Sequence, residues 1–475
     1  MAATATPTCS GCHRLQQEVD VLRKQVDELQ CVITRLEEQV ASARKNSSTS
    51  SKPPSSDIVK PPKTPPDQPQ QRRSRGGQPG HPKHERVLFP PEMVDSPHEY
   101  RLELCPDCGC CMRASANPPH VIQQVDVPPT DLHIEEHRSY DSYCSRCDKI
   151  HHAPMPSHIL GGGLVGIRLT SLIGYLKGFC HASYSTIRTY LRDVVGLVIS
   201  RGQLVRIITK VSQALEDPYN ELLGDLPLQD RLNVDETSHK ENGKRMWTWC
   251  FRAELYTLFK IDPTRSADVL IKVLGAEFDG VLGCDFFSAY RRYMREFDIR
   301  LQFCLAHFIR DVKYLTTLPD KKTKEYGERV REALRELFGV IHDKEKYTQQ
   351  RFGRLLQVAR HEVIYQATHD VPQTRAAQAL AKRMRTHGES YFRFITEPGV
   401  EPTNNLAEQA IRFVVIGRHI TQGTRSEKGW QFCERIWTVV ATCAGQGRSV
   451  FEYLYAAVEA HFMGKDAPSL LPNEQ

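Results

Sequence analysis

Apolar residues recur along this chain with changing periods, and each change marks a new segment. From 12 to 42 the spacing is seven: Leu15, Leu22, Leu29 and Leu36 interleave with Val19, Val26, Ile33 and Val40. β-Branched residues at one seam position and leucine at the other favour a parallel two-stranded coiled coil. Glu18 and Arg23 fall where they would pair across two such helices. From 160 to 216 the pattern has helical spacing, with Gly196 closing one predicted helix and Ser200 capping the next. Short helices joined by a glycine turn suit a helix-turn-helix DNA-binding region. A plain helical subdomain has the same pattern.

Between Leu232 and Tyr290 the period becomes that of strands. The runs L-N-V-D-E-T, M-W-T-W-C-F-R-A-E and Y-T-L-F-K-I-D are rich in β-branched and aromatic residues and predict a three-strand meander. A helix over Arg265–Leu274, a fourth strand over Val281–Cys284 and a fifth over Ile299–Leu305 follow. Two acids stand out. Asp235 interrupts the first strand and Asp285 ends the fourth. A carboxylate in a buried strand is costly unless it is paired or binds a cation, so two on neighbouring strands suggest a site of hard oxygen ligands for metal.

A third acid comes from E-P-T-N-N-L-A-E-Q-A-I-R. Pro402 and Thr403 suit a helix start. Leu406, Ala410, Ile411 and Val414 then form an apolar stripe, with Asn405, Glu408 and Arg412 on a polar face. Such a helix would aim Glu408 at the two aspartates. Glu236 adjoins Asp235, but neighbours in a strand point to opposite faces. Glu401 precedes the predicted helix. The intervening sequence is helical, with Val330, Leu334, Leu337 and Ile341 in one stripe, and predicts an α-helical insertion over 311–400.

Composition adds three points. Residues 43–91 hold N-S-S-T-S-S-K-P-P-S-S-D, and 11 of the chain's 29 prolines lie between 46 and 91, which predicts a disordered linker. Ten Lys/Arg against three acids between Arg44 and Arg86 give this segment +7 of the chain's net +6, so the remainder is near neutral. A basic segment of this kind suits either a polyanion contact or a solvated linker. Cys105-Pro-Asp-Cys108 and Cys144-Ser-Arg-Cys147 are two C-x-x-C knuckles within 92–152, and four thiolates complete a tetrahedral, structural Zn²⁺ shell. The sequence shows neither a signal pattern nor an apolar run near 20 residues, so the expectation is a cytoplasmic protein with no membrane partner.

The ordered set S-S-K-P-P-S-S-D, G-G-Q-P-G-H, the knuckles, S-R-G-Q-L, V-D-E-T, G-V-L-G-C-D-F-F-S-A-Y, C-L-A-H, T-N-N-L-A-E-Q-A-I-R and W-T-V-V-A-T-C resembles the insertion-sequence family 66 transposases, a group of DDE enzymes. The resemblance runs nearly end to end. It implies a multidomain α+β chain: coiled coil at 12–42, linker at 43–91, zinc-ribbon-like module at 92–152 and helix-turn-helix region at 160–216. An RNase H-like catalytic domain at 228–310 would be completed by the last catalytic helix at 401–445, with a C-terminal helix and tail at 446–475.

The resemblance further implies that Asp235, Asp285 and Glu408 are the catalytic triad and hold two Mg²⁺ (or Mn²⁺) ions. The substrate would be double-stranded DNA, both terminal inverted repeats and target, cut at 3′ ends and joined by strand transfer. Nucleoid association when bound to DNA, self-association through the coiled coil and accessory proteins encoded by the same element complete the expected partners. Cys304 and His307 look like a C-x-x-H pair near the active site. Asn405, Arg412, Arg418 and Arg425 are further candidates for DNA contact or active-site support. A decayed transposase that binds DNA as a regulator is the alternative.

Overall fold

The computed structural model describes residues 10–43, 45, 49, 88–104, 106–111, 121–125 and 132–471. They form two compact units, residues 62–134 in one and residues 1–61 with 135–475 in the other. The predicted linker therefore lies almost wholly outside the described residues, as does Cys105. In the smaller unit a short bridge joins Leu104 to Cys111.

The larger unit begins with one long helix, α1 (Ser10–Ala43). Both sets of its seven-residue repeat are exposed, from Val19 at 40% to Leu15 at 63%. A hairpin, β1 (Asp141–Cys144) and β2 (Lys149–His152), carries the second cysteine knuckle at its turn. The segment 92–152 is thus divided between the two units.

Helices α2 (Ser157–Gly162), α3 (Ile167–Gly178), α4 (Tyr184–Tyr190), α5 (Arg201–Ala214) and α6 (Glu216–Asp225) come next. Gly196 takes a left-handed φ of 79° after α4, and the Ser200 hydroxyl accepts the Gln203 N–H at 3.1 Å to cap α5, as the sequence predicts. Ser157–Gly178 is apolar enough in length and composition to cross a membrane. Here it is broken at Gly163 (φ 69°), and Ser171, Ile173 and Gly174 of α3 are buried against neighbouring helices.

The core is a five-stranded mixed sheet in the order β5-β4-β3-β6-β7. Strands β3 (Arg231–Glu241), β4 (Lys244–Arg252) and β5 (Thr257–Asp262) form the antiparallel meander. After α7 (Ala267–Leu274), β6 (Val281–Cys284) returns parallel to β3. After α8 (Ser288–Phe297), β7 (Arg300–Phe303) adds in parallel. Helix α9 (Leu305–Leu315) then leaves the sheet, and α10 (Lys321–His342), α11 (Gln349–Thr368) and α12 (Arg375–His387) form the helical insertion. Val330, Leu334 and Leu337 are its buried stripe.

The chain returns to the sheet as α13 (Asn405–Thr421), followed by α14 (Glu427–Gly445) and α15 (Val450–Phe462). Helix α13 packs on β3 and β4, and α14 on β5. On the opposite face Tyr290 of α8 lies against Glu236 and Trp249, and α7 packs on α8. Gly178 of α3 lies against α14 so closely that an added Cβ would sit 2.1 Å from Ile436 Cγ1. That fit joins the helical region to the sheet layer.

Candidate active site

The register of two parallel strands makes the site. Asn233 of β3 pairs with Gly283 of β6, and two residues further on along each strand stand Asp235 and Asp285. Neighbouring strands run about 4.8 Å apart, so the two acids leave adjacent strands at one level. Alternation along β3 turns Asn233, Asp235 and Thr237 towards α13, and buries Leu232, Val234 and Glu236 on the other face.

Glu236 is fully occupied there. Its side chain has no exposure; Arg265 Nε donates to it at 2.8 Å and the Tyr290 hydroxyl also donates to it. The Arg265 guanidinium is itself stacked 3.9 Å from the Phe287 ring centroid. Glu236 is therefore a paired core carboxylate beneath the site, as strand alternation requires.

Glu408 arrives from α13, 123 residues after Asp285 in sequence. Its Oε1 accepts from Arg310 Nη2 at 3.2 Å and lies 3.6 Å from His307 Nδ1, both on α9. The charge of Glu408 reaches both aspartates. The Asp235 pKa is raised well above the carboxylate range, by burial first and then by the charges of Glu236, Asp285 and Glu408. Asp285 is pushed up to about 7, again by burial first and then by Glu236, with Glu408 adding to the shift. Carboxyl groups in this state are short of positive charge.

The start of α13 differs from the sequence expectation. Asn404, not Pro402 or Thr403, occupies the N-cap position, and the buried stripe is Ala407, Ile411, Val414 and Gly417. Leu406 is 44% exposed. Ile411 and Val414 are buried as the sequence predicts, but Ala407 and Gly417 complete the stripe in place of Leu406 and Ala410, and half-buried Glu408 stands at its edge. The reason is Asn404, which is 1% exposed and joins three elements. Its Nδ2 donates to the Val234 carbonyl at 2.8 Å, its Oδ1 accepts from Asn233 at 2.9 Å, and its backbone N–H donates to Cys304 Sγ at 3.1 Å. Asn405, the neighbour singled out from sequence, is exposed.

Cys304, His307 and Glu408 bring one sulfur, one nitrogen and one oxygen within 4.8 Å of each other. Burial, with Arg310 and Arg383 nearby, lowers the His307 pKa to about 3, so the imidazole is neutral. Cys304 is buried and its thiol pKa is raised by that burial. The pair thus stands beside Glu408 where the end of β7 and the start of α9 meet α13. Arg418 ties α13 to the sheet. Its guanidinium donates to Thr237 Oγ1 at 3.0 Å, Ser238 Oγ at 2.9 Å and the Ser238 carbonyl, anchoring the end of α13 to β3. Arg412 and Arg425 are exposed.

The second knuckle has its own geometry. Backbone N–H groups of Cys147 and Arg146 point at the Cys144 sulfur and lower its pKa, and Cys147 Sγ lies 3.6 Å from His151 Nε2. Cys108 lies in the smaller unit and is exposed.

Asn404, Asn233 and Arg310 escape sequence reasoning. The signal that exists is the asparagine at the helix start, since asparagine is a strong N-cap residue, although the Asn404 side chain bonds β3 instead of capping the helix.

No curated protein matches the chain. A family of unknown function (DUF6444) matches residues 5–87. The model of the IS66 transposase family matches residues 162–431, which include both the sheet and all three acids. The protein belongs to the IS66 family of transposases.

Proposed function

We propose that the protein binds the terminal inverted repeats of an insertion sequence, cuts their 3′ ends and joins them to target DNA at the site formed by Asp235, Asp285 and Glu408. One observation carries this reading: two acids at one level on adjacent parallel strands, met by a third from a helix across the sheet, with burial first and then the charges of Glu236, Asp285 and Glu408 raising the pKa of Asp235. The strand order, with an antiparallel meander followed by two parallel strands, supports an RNase H-like reading of the domain.

The donor set fits a pair of hard divalent cations. All three groups offer carboxylate oxygens, and the raised pKa values of Asp235 and Asp285 mark a site where added positive charge stabilises the ionised form. Bound there, Mg²⁺ or Mn²⁺ would supply Lewis acidity to the phosphoryl oxygens and to the attacking water. Asp235 and Asp285 hold their positions through the strands, and each is oriented by a local N–H: Glu236 N to Asp235 at 2.9 Å, Phe287 N to Asp285 at 2.9 Å. Arg310 and His307 both contact Oε1 of Glu408, leaving Oε2 outside those contacts.

In the first step water attacks the phosphorus and the bond to the 3′ oxygen breaks, giving a 3′-OH and a 5′-phosphate. That 3′-OH then attacks a target phosphodiester and displaces a second 3′-OH. Neither step needs a protein nucleophile. The exposed seven-residue repeat of α1 supports pairing with a second copy, and the two knuckles support a structural Zn²⁺ held by Cys105, Cys108, Cys144 and Cys147. Helices α3–α5 are the proposed helix-turn-helix contact with DNA.

The test is Glu408→Gln, assayed on a labelled duplex of the repeat that flanks the coding region. The expected protein binds this duplex as the wild type does and makes no 3′ cut. Cutting at the wild-type rate would end the assignment.

A further inference from the structure

One flank of the three acids is basic, and the proposed chemistry has so far used only Arg310. The residue after Asp285 is Phe286, whose half-buried ring is the centre of this flank. The Arg291 guanidinium from α8 lies 4.4 Å from its centroid and that of Arg383 from α12 lies 4.8 Å away. The His387 ring, at the end of α12, is 5.3 Å from it. Phe303 and Tyr391 back the Phe286 ring from the protein side.

The charges do not balance. Arg383 is paired with Asp311 at 2.9 Å, and Arg310 with Glu408 at 3.2 Å. Among the described residues no carboxylate pairs with Arg291, and its Nε is buried without a hydrogen-bond partner. Arg291 and Arg383 also lower the pKa of His387, after burial, so that ring is neutral and open to accept or donate one hydrogen bond. An arginine braced on an aromatic ring has its fork restrained in advance, which suits a phosphate. Arg291 stands on the ring of the residue that follows Asp285, a placement that suits a backbone phosphate neighbouring the one at the acids.

We propose that Arg291, braced on Phe286 and backed by Arg383 and His387 of the helical insertion, binds a DNA backbone phosphate adjacent to the one presented to Asp235, Asp285 and Glu408. This rests on the reading of those acids as the cutting site. It gives the helical insertion a role in binding, because α12 closes a phosphate cradle beside the strand that carries Asp285.

The experiment measures affinity for the labelled repeat duplex with Ca²⁺ in place of Mg²⁺, for wild type, Arg291→Ala and Arg291→Lys, over a range of salt. It is repeated with single neutral methylphosphonates placed along each strand. Arg291→Ala is expected to weaken binding about tenfold and to reduce the slope of log affinity against log salt by about 0.9, the value of one phosphate contact. Arg291→Lys, which keeps the charge, should restore the slope. At one methylphosphonate position the wild type should lose what the alanine variant has already lost, and the variant should lose nothing more.

Additive losses at every position would overturn the proposal. So would weaker binding with an unchanged salt slope, which would mean base stacking on Phe286 instead. Should Arg291→Ala not fold, Arg291→Gln carries the same comparison. Asp285→Asn is the separating control. If it still cuts, the reading of the acids fails whatever Arg291 does, whereas an uncut duplex with an additive Arg291 effect removes only the cradle.

Discussion

Asp285→Asn should stabilise the metal-free protein while abolishing its activity. The Asp285 carboxyl has a folded-state pKa of about 7, against about 3.9 in an unfolded chain. Between those values the folded state holds a proton that the unfolded state has lost. Stability therefore falls as pH rises through this window, and the full penalty is present above about pH 7. Three units correspond to a ceiling of about 4 kcal/mol. Asp285 keeps some solvent access and shares its repulsion with Asp235, Glu236 and Glu408, so about 2 kcal/mol is the working figure.

Asparagine removes the charge and keeps an oxygen to accept the Phe287 N–H. For a domain of 150–250 residues about 2 kcal/mol raises the melting temperature by about 4–8 °C. The assay is thermal melting in EDTA from pH 5 to 8. The difference between variant and wild type should be small at pH 5, grow through pH 7, and shrink when Mg²⁺ is added, because the cation stabilises only the wild type. A variant that melts lower than wild type at pH 8, or a gain that does not change with pH, would refute the reasoning.

Four further outcomes follow from the same geometry. Asn404→Ala removes hydrogen bonds to Val234 and Asn233 from a buried position, and should cost about 1–3 kcal/mol in chemical denaturation and lower the cutting rate together. Gly178→Ala meets Ile436 and should destabilise by about 1–3 kcal/mol, read as a lower denaturation midpoint, without altering Mg²⁺ dependence. Replacing Leu22 and Leu29 with glutamate should convert a dimer to a monomer in sedimentation, since both are more than half exposed on one chain. Cys144→Ser with Cys147→Ser should remove about one equivalent of zinc from the purified protein, measured by elemental analysis, if the four cysteines hold one ion.

Local pattern determined most of the elements. Val281–Cys284 is legible as a strand because four buried apolar residues stand between turn residues, and the strand has those bounds. Helix α10 follows from its stripe, and the Gly196 turn and Ser200 cap from single-residue chemistry. Asp235 and Asp285 are visible because a carboxylate in an apolar run needs a physical reason. The opposite orientation of Glu236 follows from the two-residue period of a strand.

What sequence alone left open is whatever depends on long-range register. Helical spacing gives the angle between residues, not the rotation of the helix about its axis. The sequence pattern of α13 therefore runs through Leu406, whereas burial runs through Ala407. That rotation is fixed by Asn404, whose partners lie on β3 and at Cys304, 100 or more residues away in the chain. Arg418 reads in sequence as a candidate for either DNA contact or active-site support because charge is readable there and its partner is not; only the packed sheet turns it to Thr237 and Ser238. The Arg291–Phe286–Arg383 cluster has no sequence signature at all, because its members meet only once α12 of the helical insertion folds back onto α9 and reaches Phe286.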